Sequence, residues 1–158
     1  MRFFHISDLH FGKLLYGYDL TEEHRNFIEQ LGDYCDKYNP DAVLIAGDVY
    51  DRSVPSADAM TLLDELLNKL SGRKVFIISG NHDNAKRLSF GKDFLKKHDI
   101  YISTVPQTGE NEKIEKVTFA DEYGNVNIYM LPFLKPALFK NSMPEEAAAG
   151  EDAIIKKL

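Results

Sequence analysis

Short apolar runs alternate with longer stretches in which apolar positions recur every three or four residues. The runs Phe3–Ile6, Ala42–Ala46, Lys74–Ile78 and Ile100–Ile102 read as strands. Ala42–Ala46 is continuously apolar, as a strand covered on both faces should be. The spacing of Phe27, Ile28, Leu31, Tyr34, Cys35 and Tyr38 predicts a helix, with Thr21 as its cap, Glu22 and Glu23 in its first turn and Asn39-Pro40 as its stop. A second helix follows Ser56, with Met60, Leu63, Leu66, Leu67 and Leu70 on one side and Leu62 off that stripe. Residues 84–97 read as a third helical segment, broken near Ser89-Phe90-Gly91. Residues 9–20 and 48–55 read as loops. Strands alternating with helices run parallel, so the fold class is α/β with strand carboxyl ends gathered along one sheet edge.

The pattern then changes. Two alternating segments, 114–120 and 125–131, flank Asp121-Glu122-Tyr123-Gly124 and predict a β-hairpin that opens a second sheet. Pro144, followed by Glu145 and Glu146 and later by Lys156-Lys157, predicts one closing helix. No internal repeat, low-complexity tract or interdomain linker interrupts the chain, so residues 1–158 are expected to be one domain.

Each of the first three strands ends in a polar cluster: Asp8-Leu9-His10, Gly47-Asp48 and Gly80-Asn81-His82-Asp83. Open α/β sheets bind ligands at that edge. Carboxylate, imidazole and amide oxygen together suit a hard or borderline divalent metal. Asp8 and His10, two apart, would point the same way in extended backbone. Asp48 follows a buried strand, where a carboxylate is costly unless paired or metal-bound. Asp83 is a candidate cap for the following helix. Asp51, three residues beyond Asp48, is placed to accept a hydrogen bond from His82 and fix its tautomer.

Composition narrows the setting. No stretch approaches the roughly 20 apolar residues that span a bilayer, so no membrane role is expected, and the N-terminus lacks the length of a signal peptide before Ser7-Asp8. The lone cysteine, Cys35, excludes an internal disulfide, fits a reducing, cytoplasmic setting and falls on an apolar helix face. A net charge of −6 argues against indiscriminate coating of nucleic acid, though not against a nucleic-acid substrate held at a metal. The basic positions Lys86, Arg87, Lys92, Lys96, Lys97 and His98 read as a solvated face. His5 is expected to be a hydrogen-bonded core residue, His24 to be exposed, and Tyr16 and Tyr18 to pack within their loop.

Taken in order, Asp-x-His, Gly-Asp and Gly-Asn-His-Asp resemble the motifs of the calcineurin-like metallophosphoesterases. The flanking residues Ser7-Asp8-Leu9-His10-Phe11-Gly12-Lys13, Ala46-Gly47-Asp48-Val49-Tyr50-Asp51 and Met130-Leu131-Pro132-Phe133 are similar to its nuclease branch, the SbcD/Mre-type subunits of double-strand-break repair. The likeness runs from residue 1 to about residue 136. It implies the N-terminal portion of a four-layer α/β/β/α sandwich. It also implies two divalent ions, usually manganese: Asp8 and His10 on the first, Asp48 bridging, Asn81 on the second, and His82 acting on the leaving oxygen. The implied parent is an exonuclease and endonuclease at DNA duplex ends and hairpins, working as a homodimer with an SbcC-type ATPase. The helices at 56–70 and 84–97 are candidates for the dimer contact.

The family completes its site with a further His and a His-x-His pair, yet no histidine lies beyond His98. The expectation is therefore an incomplete domain, lacking its C-terminal half and a capping domain, that binds metal weakly, turns over poorly and self-associates through an exposed sheet edge. The alternatives are a calcineurin-like phosphoesterase acting on small phosphodiesters or phosphoproteins, and a non-catalytic dimerisation fragment.

Overall fold

The computed structural model describes residues 1–106 and 114–158. Its centre is a four-stranded sheet in the order β1 (Phe3–Ile6), β4 (Ala42–Ala46), β5 (Val75–Ile78), β6 (Ile100–Ser103), every neighbouring pair parallel. The small pair β2 (Leu14–Leu15) and β3 (Tyr18–Asp19) stands apart in the loop after β1.

Period-two alternation divides the central sheet into two faces. Val43, Ile45, Val75, Ile77, Ile100 and Ile102 join one core with α1 (Thr21–Tyr38) and α2 (Ala57–Lys69). Ala42, Leu44, Phe76, Ile78 and Tyr101 face the other way, onto Val117, Phe119 and Ile128 of the hairpin β7 (Glu115–Asp121) and β8 (Gly124–Met130). Helices, parallel sheet and antiparallel hairpin therefore stack in that order. α3 (Ala85–Leu88) and α4 (Lys92–Leu95) are short turns on either side of Gly91, whose φ of +72° suits the expected break. The expected closing helix is two, α5 (Pro144–Ala149) and α6 (Glu151–Lys157), separated by Gly150 and packed with Leu134 and Phe139 around Met143 and Ile154.

Several local expectations are corrected. Thr21 is not the cap of α1 but its first residue; Asp19 Oδ1 accepts from the Thr21 amide at 2.8 Å and its hydroxyl at 2.6 Å. Those bonds hold the Asp19 carboxyl below its ordinary range. The stop at Asn39 occurs as expected, its left-handed backbone donating to Cys35 O at 2.8 Å. Ser56 caps α2 through Ala59 N at 3.2 Å. That helix is rotated from the expected stripe: Leu62 is 0% exposed and Met60 is 54% exposed. Leu62 joins Ala59, Leu63 and Leu66 against α1 and the sheet, so α2 is buried on two sides. Tyr34 and Tyr38 stack on each other at the surface, whereas Cys35 is buried as expected. His5 is exposed, because β1 is the sheet's edge strand.

Leu62→Ala should cost about 2–5 kcal/mol of stability, and Met60→Ala less than about 0.5 kcal/mol. Urea unfolding of the two variants, followed by circular dichroism, checks the rotation of α2.

Candidate metal centre

The polar clusters meet because the parallel pairing continues past the strand ends. Asp8 N donates to Gly47 O at 3.1 Å, His10 N to Asp48 O at 2.9 Å and Phe11 N to Val49 O at 2.9 Å. Asp51 N returns a bond to Phe11 O at 3.1 Å. The backbone there is not extended: φ is +56° at Asp8, +46° at His10 and +49° at Asp48. Left-handed backbone in residues that carry a Cβ is uncommon and costs of order 1–3 kcal/mol each, so it persists where the surroundings enforce it. Asp8 and His10 converge through these turns, not through the two-residue alternation of a strand.

The third cluster is fastened to the second. Asp83 is 1% exposed, and its carboxylate accepts from Val49 N at 3.2 Å, Tyr50 N at 3.0 Å and Gly80 N at 2.9 Å. Capping of α3 falls instead to Asn84, whose Oδ1 accepts from Lys86 N and Arg87 N. Gly80 lies so close to Asp48 that an added Cβ would sit 2.1 Å from Asp48 Oδ1. The same Oδ1 accepts from His82 N at 2.9 Å. The segment after β8 closes the back of this turn: Phe133 N donates to Ser79 O at 2.8 Å and Lys135 Nζ to Asp83 O at 2.8 Å.

These contacts gather Asp8, His10 and Asp48, each offering one ligand atom within 4.8 Å of the others. His10 Nε2 is 3.8 Å from Asp8 Oδ1. Asn81 stands between Gly80 and His82, both of whose backbones touch Asp48. The His82 ring is exposed and meets the His10 ring edge-on at 4.9 Å. Asp51 reaches His82 differently from the expected way: its backbone carbonyl, not its carboxylate, lies 2.7 Å from His82 Nδ1. The Asp51 carboxylate instead faces His10 Nδ1 at 3.4 Å, with Arg52 Nε 3.7 Å from its other oxygen.

The donor set fits a divalent cation. Two carboxylates within 4.8 Å repel each other, by about 3 kcal/mol at an effective dielectric constant near 20, unless positive charge lies between them. Asp48 is a buried carboxylate, and the ring nitrogen of His10 on its side of the group, Nε2, turns toward Asp8 at 3.8 Å. Such groups call for a ligand or a charge.

The chain matches the calcineurin-like phosphoesterase family over residues 1–155. It belongs to that family. It is also 34% identical over 136 residues to the SbcD subunit of the nuclease SbcCD from Staphylococcus epidermidis, covering 84% of this chain and 34% of that protein. The chain thus spans about a third of the length of this curated relative. The family uses divalent metals, and Asp8, His10 and Asp48 are residues of this chain that could hold one.

The sequence pattern suggests only a capping role for Asp83; its place in the Gly-Asn-His-Asp motif is the available signal for more. Three other side chains lie apart from expectation. His24 is half-buried, edge-on to Phe11 at 5.2 Å, and burial pushes its pKa down. Tyr16 is 101% exposed and Tyr18 is exposed too, its hydroxyl donating to Glu23 at 3.0 Å. The basic face at residues 86–98 is solvated as expected. No helix of the described residues is long and apolar enough to cross a membrane.

Asp83→Asn places an amide N–H₂ opposite backbone donors and should cost about 3 kcal/mol in urea unfolding. Burial, with the nearby Asp83 charge, pushes the Tyr50 phenol up to about 12. The stability held by the neutral phenol is complete below its unfolded pKa near 10 and is lost as pH rises through about 12. Tyr50→Phe should flatten that alkaline decline in urea midpoints measured across the same range.

Proposed function

We propose that this chain is the N-terminal part of the nuclease domain of an SbcD-type subunit, a manganese-dependent phosphodiesterase acting on DNA. The observation that carries the reading is the Asp8, His10 and Asp48 group within 4.8 Å, with the His82 ring 4.9 Å from that of His10. Asp8 and His10 would hold a first cation, Asp48 would bridge, and Asn81 would bind a second. Bound there, the cations supply Lewis acidity toward phosphoryl oxygens and an activated water near neutral pH.

The chain's own residues do the rest. Asp51 O holds His82 Nδ1–H and leaves Nε2 turned outward, where a protonated imidazole delivers its proton to the leaving sugar oxygen. The Asp51 carboxylate steadies His10 from the side opposite Asp8. Asp83 and Gly80 keep the Asn81-His82 turn against Asp48.

DNA as substrate rests on the likeness to the staphylococcal protein. The same likeness supports an SbcC-type ATPase partner and a cytoplasmic setting. A homodimer is supported by an apolar groove of about 600 Å³ between α2 and the α3–α4 segment, where Met60, Phe90 and Phe94 are exposed.

Single-turnover hydrolysis with manganese and enzyme in excess tests the reading on duplex ends, DNA hairpins, a generic phosphodiester and a phosphopeptide. DNA should be cleaved preferentially, at a low rate, and His82→Gln should slow cleavage about 100-fold or more. Preference for the phosphopeptide or the small diester would assign the chain to another branch of the family. A chain that cleaves nothing yet stays a stable dimer through His82→Leu would be a dimerisation fragment.

A further inference from the structure

The two ring nitrogens of His10 face different partners. Nε2 turns toward Asp8 at 3.8 Å, and Nδ1 turns toward Asp51 Oδ1 at 3.4 Å. Nδ1 is buried and makes no hydrogen bond among the described residues. His10, Asp51 and His82 each offer one ligand atom within 4.8 Å of the others. His82 is exposed, which leaves that group open to entry from solvent.

The two groups differ in chemistry. Asp8, His10 and Asp48 are two carboxylates and an imidazole, an oxygen-rich set that suits manganese or magnesium. His10, Asp51 and His82 are two imidazoles and a carboxylate. That donor count, with a position left open, is the one zinc takes in sites with three protein ligands. The spacing agrees as well. Zinc bonds of about 2.0–2.1 Å in a tetrahedron set neighbouring donors about 3.4 Å apart, the separation already present between His10 Nδ1 and Asp51 Oδ1. His82 Nδ1 is engaged by the Asp51 carbonyl at 2.7 Å. Metal-binding histidines hold their second ring N–H in this way, which leaves a lone pair on the other nitrogen.

We propose that His10, Asp51 and His82 form a second cation site that takes one borderline divalent transition ion, zinc above all, in competition with the manganese-type site that shares His10. A zinc ion there draws the His10 ring away from Asp8 and Asp48. It also occupies His82, the group that would protonate the leaving oxygen. The inhibitory consequence rests on the function proposed above; the binding site itself does not.

Zinc affinity, measured by competition with a chromophoric chelator, and manganese affinity, measured by calorimetry, test the site on the 158-residue chain. Thermal unfolding verifies that each variant is folded. His82→Leu should weaken zinc binding about 10-fold or more and shift manganese binding less than about 3-fold; Asp51→Asn, which also removes the partner of the manganese ligand His10, should weaken zinc binding about 10-fold or more and manganese binding by a smaller factor. Asp48→Asn should do the reverse. The inference is overturned if Asp48→Asn weakens zinc as much as Asp51→Asn does, because zinc then sits in the other group. It is equally overturned if His82→Leu, an exposed change that spares the fold, leaves zinc affinity unaltered. Manganese-driven DNA cleavage persisting beside such a result would leave the proposed function standing. Zinc binding with the expected variant pattern in a chain that cleaves no phosphodiester would remove the function and keep the site.

Discussion

Asp83 is a carboxylate with almost no access to water, and its neighbours explain why that is tolerated. Three backbone amides from two different loops point at its oxygens. An unmet acceptor in such a place carries a penalty of about 1–3 kcal/mol, larger for a charged group. Here the same bonds satisfy Val49, Tyr50 and Gly80, whose N–H groups lie beyond the ends of their strands and outside any sheet ladder. The arrangement fixes the distance between the Asp48 loop and the Asn81-His82 turn. It brings Gly80 against Asp48 at a separation that only a missing Cβ permits. The bond from His82 N to Asp48 Oδ1 is a second tie between the same two clusters.

The first cluster is held by a different device. Asp8, His10 and Phe11 donate backbone bonds to Gly47, Asp48 and Val49, extending parallel pairing into chain that has left the strand geometry. The left-handed turns at Asp8, His10 and Asp48 are the local consequence. The strain is carried by the loops that offer the ligands, while the sheet beneath keeps regular register. A site assembled in advance loses little entropy when a cation enters. It also keeps like charges close before the cation arrives, which makes metal binding and loop stability parts of one equilibrium.

Much of this is legible in the residues. Continuous apolar runs locate the parallel strands, and three polar clusters at their ends locate the site. The alternation around Gly124 marks the hairpin, although residues 107–113 lie outside the described residues. The rest lies beyond periodicity. Met60 and Leu62 are both apolar, and only the packing of α2 against α1 and the sheet decides which turns inward. The cap position of α1 falls to Leu20 and not Thr21, whose amide and hydroxyl are both taken by a carboxylate two residues earlier, Asp19. Tyr16 is fully exposed at a backbone angle its neighbours in sequence do not announce. Spacing places Asp51 near His82 but does not say which oxygen reaches the ring, since carbonyl and carboxylate of one residue share one position in the sequence.

That last distinction governs the electrostatics of the centre. A carboxylate bonded to His82 would stabilise its protonated form strongly and bind it in place. A carbonyl fixes orientation with a dipole alone and leaves the Asp51 charge free to face His10. The imidazole of His10 therefore lies between carboxylates on both of its nitrogens, Asp8 on one side and Asp51 on the other. Neutral imidazole has a single lone pair, so it serves one cation at a time. Hard ions favour the side with two carboxylates, and softer ions the side with a second imidazole. The identity of the ion thus selects which face of one ring is used. The selection follows from the donors themselves, before any substrate reaches the sheet edge.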